Sequence, residues 1–437
     1  MRDICTAFVA TLMLAGTTFA STIHVPGDHA TIQGAINASS HGDTIAIAAG
    51  TYYEHSLNPN GKAITIGSAS GNLDVTIDAQ GGGGVFVIES GEGAFTAIKD
   101  LVITGGYRDY VGGGIFCQNS NPTIIGCTIA GNSAGTASTG TGGGIYCSYS
   151  NPTISNCKII GNTVTWFGGG IGCYESSPNM VDCTISNNSA KLGGGIFCDG
   201  NSEPALTNCT ITGNTANVGG GMDNWESSPT FTGCVITENA AIIGFGGGAS
   251  FRYDSNPTLT GCTIAENTAT TNGGGVYSDD SNPTLIDTTL CENTSDNIYG
   301  PWTNGGNICQ AVSCNDSNGD DIPDECQSGG GEIHEVPGEY ATIQAAINAA
   351  SVGDTVLVGP GVWATSTPDP LINPVGKPIT IQSVEGAETT FLDGELIGTV
   401  VICTNGETTD TVIDGFTIMQ GSANNASNHG GGIYCNN

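Results

Sequence analysis

Short runs of alternating apolar and polar residues recur in groups of three along the middle of the chain. In the first group, one run contains Ile115 and Cys117, a second contains Ile124, and a third contains Cys127 and Ile129. Successive side chains of a strand point to opposite faces, so each group predicts three short strands that share one inward face. A group has about 26 residues and no room for a helix. The pattern therefore predicts an all-β fold, a parallel β-helix in which each group forms one coil.

Three landmarks keep a constant spacing across seven groups. A proline is followed five residues later by a cysteine, or by Thr288 in the last group, and ten residues later by an asparagine. Equivalent positions of stacked coils lie about 4.8 Å apart, so we expect columns of like side chains. Isoleucine columns would bury apolar area, and asparagine columns would bond from coil to coil. The prolines are Pro122, Pro152, Pro178, Pro204, Pro229, Pro257 and Pro283, and the asparagines are Asn132, Asn162, Asn188, Asn214, Asn239, Asn267 and Asn293.

Two columns of cysteine are expected inside the coils. One column loses its cysteines in three later coils, where Asn224, Phe251 and Ser278 stand instead. A bridge within every coil would then leave cysteines of the other column without partners, so the sequence favours buried thiols over intracoil disulfides, with both alternatives open. Metal binding is less favoured, because no Cys-x-x-Cys pair occurs among them. The columns are Cys127, Cys157, Cys183, Cys209, Cys234 and Cys262, and Cys117, Cys147, Cys173 and Cys198.

The chain contains a second, shorter copy of its beginning. Residues 334–362 repeat residues 24–51, and the copy continues to the glycines at 430–432, close to the last residue. Segment 31–39 is apolar on one side, which predicts a short amphipathic helix that caps the first coil. We expect a β-helix module at 21–300, a linker at 301–332 and the truncated start of a second β-helix module at 333–437. Because the copy stops before any proline–cysteine–asparagine coil, we expect that the sequence is a fragment of a longer protein. The alternative is a genuine short second module.

The linker is rich in acidic residues and cysteines. Its oxygen-bearing side chains occupy positions 1, 3, 5 and 9 of a loop with the spacing that Ca²⁺ uses. Two positions depart from that pattern, because Asp321 stands where glycine is usual and Gln327 where glutamate is usual. We expect a calcium site tied by a Cys314–Cys326 disulfide, with an acidic solvated linker as the alternative. The expected ligands are Asp316, Asn318, Asp320 and Asp324.

These features resemble known families. The cap and coil pattern of residues 22–437 resembles the right-handed parallel β-helix, or pectin-lyase-like, superfamily, and so implies a right-handed solenoid. The repeat from Cys209 to Met222 is similar to that of chlamydial polymorphic outer-membrane proteins. The loop from Asp316 to Glu325 resembles the calcium loops of dockerins and thrombospondin type 3 repeats. The superfamily includes lyases, hydrolases, esterases, adhesins and surface proteins, so the resemblance implies a fold and not one activity.

Composition and charge narrow the range of partners and compartments. Eight Lys and Arg residues stand against 41 Asp and Glu residues, a formal net charge of −33. Phosphate backbones and anionic lipid surfaces need a basic face, which excludes nucleic acid and anionic membranes as partners. The first 20 residues combine Arg2, an apolar stretch and a small residue at Ala20, which predicts a signal peptide. No later segment has the length and hydropathy of a membrane span, so we expect a secreted or cell-surface monomer.

An outward column at the end of the first run of each coil carries the candidate chemistry. Aromatic rings there are interleaved with carboxylates. This combination suits sugars, because rings stack on the apolar faces of sugars and carboxylates bond their hydroxyl groups. The alternative is a variable solvated turn. The predicted ligand contacts are Tyr174, Trp225, Tyr253, Asp254 and Asp279.

The same column offers candidates for catalysis. Asp199 and Glu226 on adjacent coils form a candidate carboxylate pair for glycoside hydrolysis, and Arg252 is a candidate base for a lyase. The six histidines all lie outside residues 112–293, and the motif set of polygalacturonases is absent. We therefore expect a binding, adhesion or display role with a polysaccharide or cell-surface glycan as the partner. The alternative is a polysaccharide lyase or glycoside hydrolase.

Overall fold

The structure is a computed structural model that describes residues 20–136, 140–306, 308–311, 333–350, 354–365, 367, 369–404, 407, 411–423 and 431–436. The chain divides into two compact units, Met1–Gln310 and Ala311–Asn437, and each is described by itself. The signal-peptide prediction, apart from Ala20, lies outside the described residues. So do the predicted calcium ligands Asp316, Asn318, Asp320 and Asp324 and the predicted disulfide Cys314–Cys326. Neither described helix qualifies as a membrane span.

In the first unit, the chain visits three parallel sheets in turn, once per coil. The first sheet has nine strands: Phe86–Ile88, Ile115–Gln118, Ile145–Ser148, Ile171–Tyr174, Ile196–Asp199, Met222–Trp225, Ala249–Arg252, Val276–Asp279 and Ile298–Tyr299. The second has twelve: Thr22–Val25, Thr44–Ile47, Thr65–Ser68, Ala97–Lys99, Thr123–Ile125, Thr153–Ser155, Asn179–Val181, Ala205–Thr207, Thr230–Thr232, Thr258–Thr260, Thr284–Ile286 and Thr303–Asn304. The third has eleven: Gly50–Tyr52, Val75–Asp78, Val102–Thr104, Thr128–Ala130, Lys158–Ile160, Thr184–Ser186, Thr210–Thr212, Val235–Thr237, Thr263–Ala265, Thr289–Cys291 and Cys309–Ala311.

Two short sheets follow the third sheet in some coils. Their strands have two residues each and precede the triple glycines. One sheet contains Tyr107–Arg108, Ser133–Ala134 and Thr163–Val164, and the other contains Thr215–Ala216, Ala240–Ala241 and Thr268–Ala269.

Neighbouring coils are parallel and in register. Ile115 pairs with Ile145 in the first sheet, and Ile129 pairs with Ile159 in the third. All four side chains are fully buried, because alternation turns the same face of each strand toward the interior. The predicted all-β parallel β-helix is therefore confirmed.

The asparagine column forms the predicted ladder. The Nδ2 atom of Asn162 donates to Oδ1 of Asn188 at 3.1 Å and to the carbonyl oxygen of Ile129 at 2.9 Å. Asn188 repeats this arrangement with Asn214 at 3.0 Å. Each buried amide group thus satisfies backbone and side-chain partners that water cannot reach.

A second polar ladder was not predicted. The backbone N–H of Ser150 donates to Oγ of Ser176 at 3.0 Å, and that of Ser176 donates to Oγ of Ser202 at 3.0 Å. Its sequence signal is a serine two residues before each repeat proline, as regular as the prolines themselves. The ladder closes the turn between the first and second sheets. Its members are Ser120, Ser150, Ser176, Ser202, Ser227, Ser255 and Ser281.

The ten cysteines of the two columns are free and buried, so the favoured alternative of thiol ladders is confirmed. Many of the thiols donate to a carbonyl oxygen, as Cys183 does to Ile154 at 3.5 Å. Cys291 and Cys309 differ, because both are disulfide-bonded. They lie on neighbouring strands of the third sheet, and neither was assigned to a disulfide from the sequence.

Helix α1 spans Ile32–Ala38 and fits the predicted cap. It begins after Thr31, whose Oγ1 accepts a hydrogen bond from the N–H of Gly34 at 3.1 Å, as an N-cap threonine does. Ile32, Ala35 and Ile36 are buried on one side of the helix. The helix contacts the first two strands of the second sheet, where it covers apolar surface at the start of the solenoid.

The second unit repeats this beginning. Helix α2 spans Ile343–Ala349 and buries Ile343, Ala346 and Ile347. Its strands form three parallel sheets with a core of their own. The strands are Ile333–Val336, Thr355–Val358, Thr380–Ser383 and Val412–Asp414; Gly361–Ala364, Thr390–Asp393 and Thr417–Met419; and Val401–Cys403 and Ile433–Cys435.

Candidate ligand-binding surface

The predicted outward column lies at the end of the first sheet. Tyr174 is the register partner of Asp199, and Arg252 is paired with Trp225 on one side and Asp279 on the other. We call this column together with the turn that follows each strand the turn surface. It comprises residues 148–149, 174–175, 199–200, 225–226, 252–254 and 279–280.

The turn surface places bulky side chains on an unfavourable backbone. Tyr149, Glu175, Glu226 and Tyr253 hold φ angles of 50°, 44°, 46° and 56°. Side chains other than glycine, asparagine and aspartate rarely adopt this region. Gly200 occupies the equivalent position of another coil with φ of 68°, so the fold itself accepts glycine there.

Two tyrosines form one part of the turn surface. The rings of Tyr149 and Tyr174 meet edge to face, with centroids 5.8 Å apart, and they are 50% and 38% exposed. The Tyr149 hydroxyl donates to Oε1 of Glu175 at 2.9 Å. This bond to the carboxylate raises the pKa of Tyr149 to about 12. The two rings and the carboxylate therefore form one ordered, solvent-facing group.

A second group forms around Arg252. Its Cζ atom lies 5.1 Å from the ring centroid of Trp225 and 5.7 Å from that of Tyr253. The two rings meet edge to face at 5.6 Å. Tyr253 is 49% exposed, and Asp254 and Asp279 are also exposed. The structure thus brings Trp225, Arg252 and Tyr253 together, with Asp254 in the coil of Arg252 and Asp279 on the next coil.

A buried ion pair beneath this group was missed by the sequence analysis. Nη2 of Arg252 lies 2.6 Å from Oδ2 of Asp223, and Nε1 of Trp225 donates to the same oxygen at 3.2 Å. Asp223 is fully buried, which raises the pKa of its carboxyl group, while Arg252 acts in the opposite direction. The signal was available, because Asp223 interrupts a column that has aromatic rings at Phe116 and Phe197.

Asp199 is the partly buried member of the candidate carboxylate pair Asp199–Glu226. Oδ1 of Asp199 accepts a hydrogen bond from the N–H of Gly200 at 2.8 Å. Burial raises the pKa of Asp199, and the charge of Glu226 adds to that shift. Arg252 is bound to Asp223 and forms no ion pair with either carboxylate. Within the described ranges, no cluster of three or more His, Cys, Asp or Glu side chains is arranged to hold a metal ion.

Residues 62–236 match the family model described as right handed beta helix region. The coils of the first unit are thus those of a right-handed parallel β-helix. No curated protein sequence matches the chain significantly.

Several solved structures are similar in fold. Pectate lyase Pel9A shares 13% identity over 69% of this chain and 81% of its own, with a TM-score of 0.45. The pectin methylesterase from Aspergillus niger shares 14% identity over 68% of this chain and 86% of its own, with a TM-score of 0.33. The PL6 family alginate lyase AlyGC shares 12% identity over 91% of this chain and 71% of its own, with a TM-score of 0.31. Similarity at this level concerns the fold and carries no activity to this chain.

Proposed function

We propose that this protein is a secreted or surface-displayed β-helix that binds a neutral glycan along the turn surface. One observation carries the proposal: the exposed rings of Tyr149 and Tyr253 occupy turn positions with positive φ that glycine would fill at lower energy. Carboxylates and the exposed ring of Tyr174, at the end of a strand, stand beside them. Unfavourable backbone conformations tend to persist where function needs them. Calcium bound by the 301–332 linker is part of the same proposal.

The chemistry of the surface favours uncharged sugars. Aromatic rings stack on the apolar face of a sugar ring, and Glu175, Glu226 and Asp254 can accept hydrogen bonds from its hydroxyl groups. The same carboxylates, on a chain with a net charge of −33, repel an anionic polysaccharide. Successive coils are about 4.8 Å apart, which is the scale of one sugar unit, so a glycan chain can follow the column.

Affinity electrophoresis tests the proposal. The whole protein is run in gels that contain neutral or acidic polysaccharides, with and without calcium. We expect a neutral polysaccharide to retard the wild type, and Tyr174→Ala and Tyr253→Ala to reduce the retardation. Tyr53→Ala is the matched control, because Tyr53 is 65% exposed and lies outside the turn surface. An unretarded wild type, or an equal effect of Tyr53→Ala, would contradict glycan binding at this surface.

Glycoside hydrolysis is a second candidate, because a general acid needs a raised pKa and Asp199 has one beside Glu226. Measuring new reducing ends after incubation with the retarding polysaccharide tests it. Under this candidate, Asp199→Asn abolishes the release of ends and leaves retardation intact. Release of reducing ends that survives Asp199→Asn would rule out this role for Asp199. If the wild type releases no reducing ends, the protein binds the polysaccharide without cleaving it.

A further inference from the structure

A cleft in the early coils surrounds Arg108. Two cavities of about 430 and 370 Å³ share Gly83 and Arg108 in their lining, and we call them together the Arg108 cleft. It precedes the proline–cysteine–asparagine repeats and contains no residue of the turn surface. The other polar lining residues include Ser56, Asn58, Glu89, Tyr107, Asp109 and Tyr110.

The Arg108 side chain has no hydrogen-bond or ion-pair partner among the described residues. Its Cζ atom lies 4.4 Å from the ring centroid of Phe116, and its Nη1 atom is buried without a hydrogen-bond partner. Within the described part of the chain, the guanidinium group forms no hydrogen bond and no ion pair. Burial lowers the pKa of Arg108, and Glu89 acts in the opposite direction. Arg252, by contrast, is paired with Asp223.

An unpartnered, half-buried guanidinium is unfavourable by itself. Removing a charged group from water costs free energy unless new hydrogen bonds replace those to water. The Phe116 ring offers a cation–π contact but no acceptor. The N–H donors of the group that face the cleft therefore remain available to a ligand that enters it.

Glycine residues keep the space around the Arg108 side chain open. A Cβ atom at Gly84 would lie 2.8 Å from Cδ of Arg108 and 3.1 Å from the carbonyl oxygen of Gly112. The backbone N–H groups of Gly83 and Gly84 make no hydrogen bond within the described residues. The cleft thus combines a planar cation with backbone donors that have no partner.

We propose that the Arg108 cleft binds a small monovalent carboxylate, whose two oxygens accept hydrogen bonds from the Arg108 guanidinium. The planar fork of arginine matches a carboxylate in two parallel bonds. Glu89 and Asp109 in the lining disfavour a more highly charged anion such as phosphate. The polar lining suits a hydroxylated ligand body, which an open-chain hydroxy acid or an acidic sugar provides.

Isothermal titration calorimetry of the whole protein tests this site. The probes are D-gluconate for the hydroxy acid, D-glucuronate for the acidic sugar, D-glucose as the uncharged analogue, and inorganic phosphate. We expect at least one carboxylate to bind and phosphate to bind more weakly. Glucose should not bind the Arg108 cleft, so any glucose binding at the turn surface should be unaffected by Arg108→Gln. If gluconate binds more tightly, the ligand is an open-chain hydroxy acid; if glucuronate binds more tightly, it is an acidic sugar. Absence of binding by both carboxylates, or tighter binding of phosphate, would overturn the proposal.

Variants assign the binding to Arg108. Arg108→Gln is expected to weaken carboxylate binding by about ten-fold or more, which is ~1.4 kcal/mol, and Arg108→Lys to weaken it less. Gly84→Ala keeps the charge but displaces the arginine, so it should weaken binding too.

Lys191→Met is the matched control, because Lys191 is a cation 3.3 Å from the Trp166 ring centroid and does not line the cleft. Tyr174→Ala should also leave carboxylate binding unchanged, which separates this site from the turn surface. Unchanged affinity in both Arg108→Gln and Gly84→Ala would overturn the assignment. An equal loss of affinity in Lys191→Met would do the same, because it would show a general charge effect.

Discussion

At the scale of single residues, the turn surface accepts backbone conformations that its side chains disfavour. Tyr149, Glu175, Glu226 and Tyr253 all have positive φ. At the equivalent turn of other coils, Asn119, Gly200 and Asp280 also have positive φ. The same turn thus accepts residues of very different size, which indicates that side-chain identity at the turn surface is not set by the backbone alone.

Glu226→Gly should therefore stabilise the protein. Glycine adopts a φ of 46° freely, and the relief is worth roughly 1 kcal/mol. Glu203→Gly is the control, since it removes the same charge from an exposed position without a positive φ. Urea unfolding of both variants measures the difference, and a lower midpoint for Glu226→Gly than for the wild type would contradict the argument.

The Asp223–Arg252 pair gives a second prediction at this scale. Arg252→Met leaves a fully buried carboxylate without its cation, which should reduce the free energy of unfolding by about 3–5 kcal/mol. Adding Asp223→Phe restores the aromatic residue found in other coils at Phe116 and Phe197. Thermal unfolding should show that the double variant regains most of the loss. If the double variant is as unstable as Arg252→Met alone, the unpaired Asp223 carboxylate does not explain the loss of stability.

At the scale of elements, the ladders make each coil depend on its neighbours. Asn188 takes part in hydrogen bonds with Asn162, Asn214 and the carbonyl oxygen of Ile159, all in the interior. Substituting one rung therefore leaves donors and acceptors unpaired in the coils above and below. Helix α1 is held differently: one side is buried, Glu54 accepts a hydrogen bond from the N–H of Ile32 at 2.7 Å, and Lys62 donates to the carbonyl oxygen of Ile36 at 2.6 Å.

Asn188→Ala should be strongly destabilising. The buried N–H and Nδ2 groups of Asn162 both lose the Asn188 oxygen, and each unpaired group costs about 1–3 kcal/mol. Asn187→Ala at the neighbouring exposed turn loses none of these bonds and serves as the comparison. Chemical unfolding followed by circular dichroism measures both, and equal losses in the two variants would contradict the ladder's importance.

At the scale of the whole molecule, the interior of the first unit is a continuous stack of isoleucine and cysteine columns. Hydrogen bonds to Cys147 and Cys198 and burial raise the pKa of the Cys173 thiol, and all ten cysteines of the two columns are buried away from solvent. Reaction of these thiols with an alkylating reagent requires opening of the solenoid.

The ten column cysteines should consequently resist alkylation in the folded protein and react together on unfolding. Cys435, which is exposed, should react at once and provides the internal control. Mass spectrometry after labelling at increasing urea concentration measures this. Labelling of any column cysteine without urea, at the rate of Cys435, would show that the solenoid opens locally.

Much of the candidate surface could be predicted from sequence because the coils are in register. The spacing of prolines and glycines fixes which residues stack, so the partnership of Arg252 with Asp279 and of Tyr174 with Asp199 follows from counting. The direction of a long side chain does not follow from counting. Arg252 turns inward to Asp223 rather than toward solvent, and only the packing of rings around it decides this.

The sequence by itself determined the solenoid, its coil length, its helical cap and its asparagine and thiol ladders, because a repeat of local alternation has one efficient way to bury its apolar face. The tertiary structure alone decided which charges are satisfied. Arg108 and Arg252 look alike in the sequence, yet Arg252 is paired with Asp223 beneath a ring cluster. The Arg108 side chain lines a cleft and has no hydrogen-bond or ion-pair partner among the described residues. The burial and the partners of a charge depend on residues tens of positions away, as Asp223 is from Arg252, which the stacking of coils brings together. The chemistry of both surfaces is therefore set by these tertiary contacts.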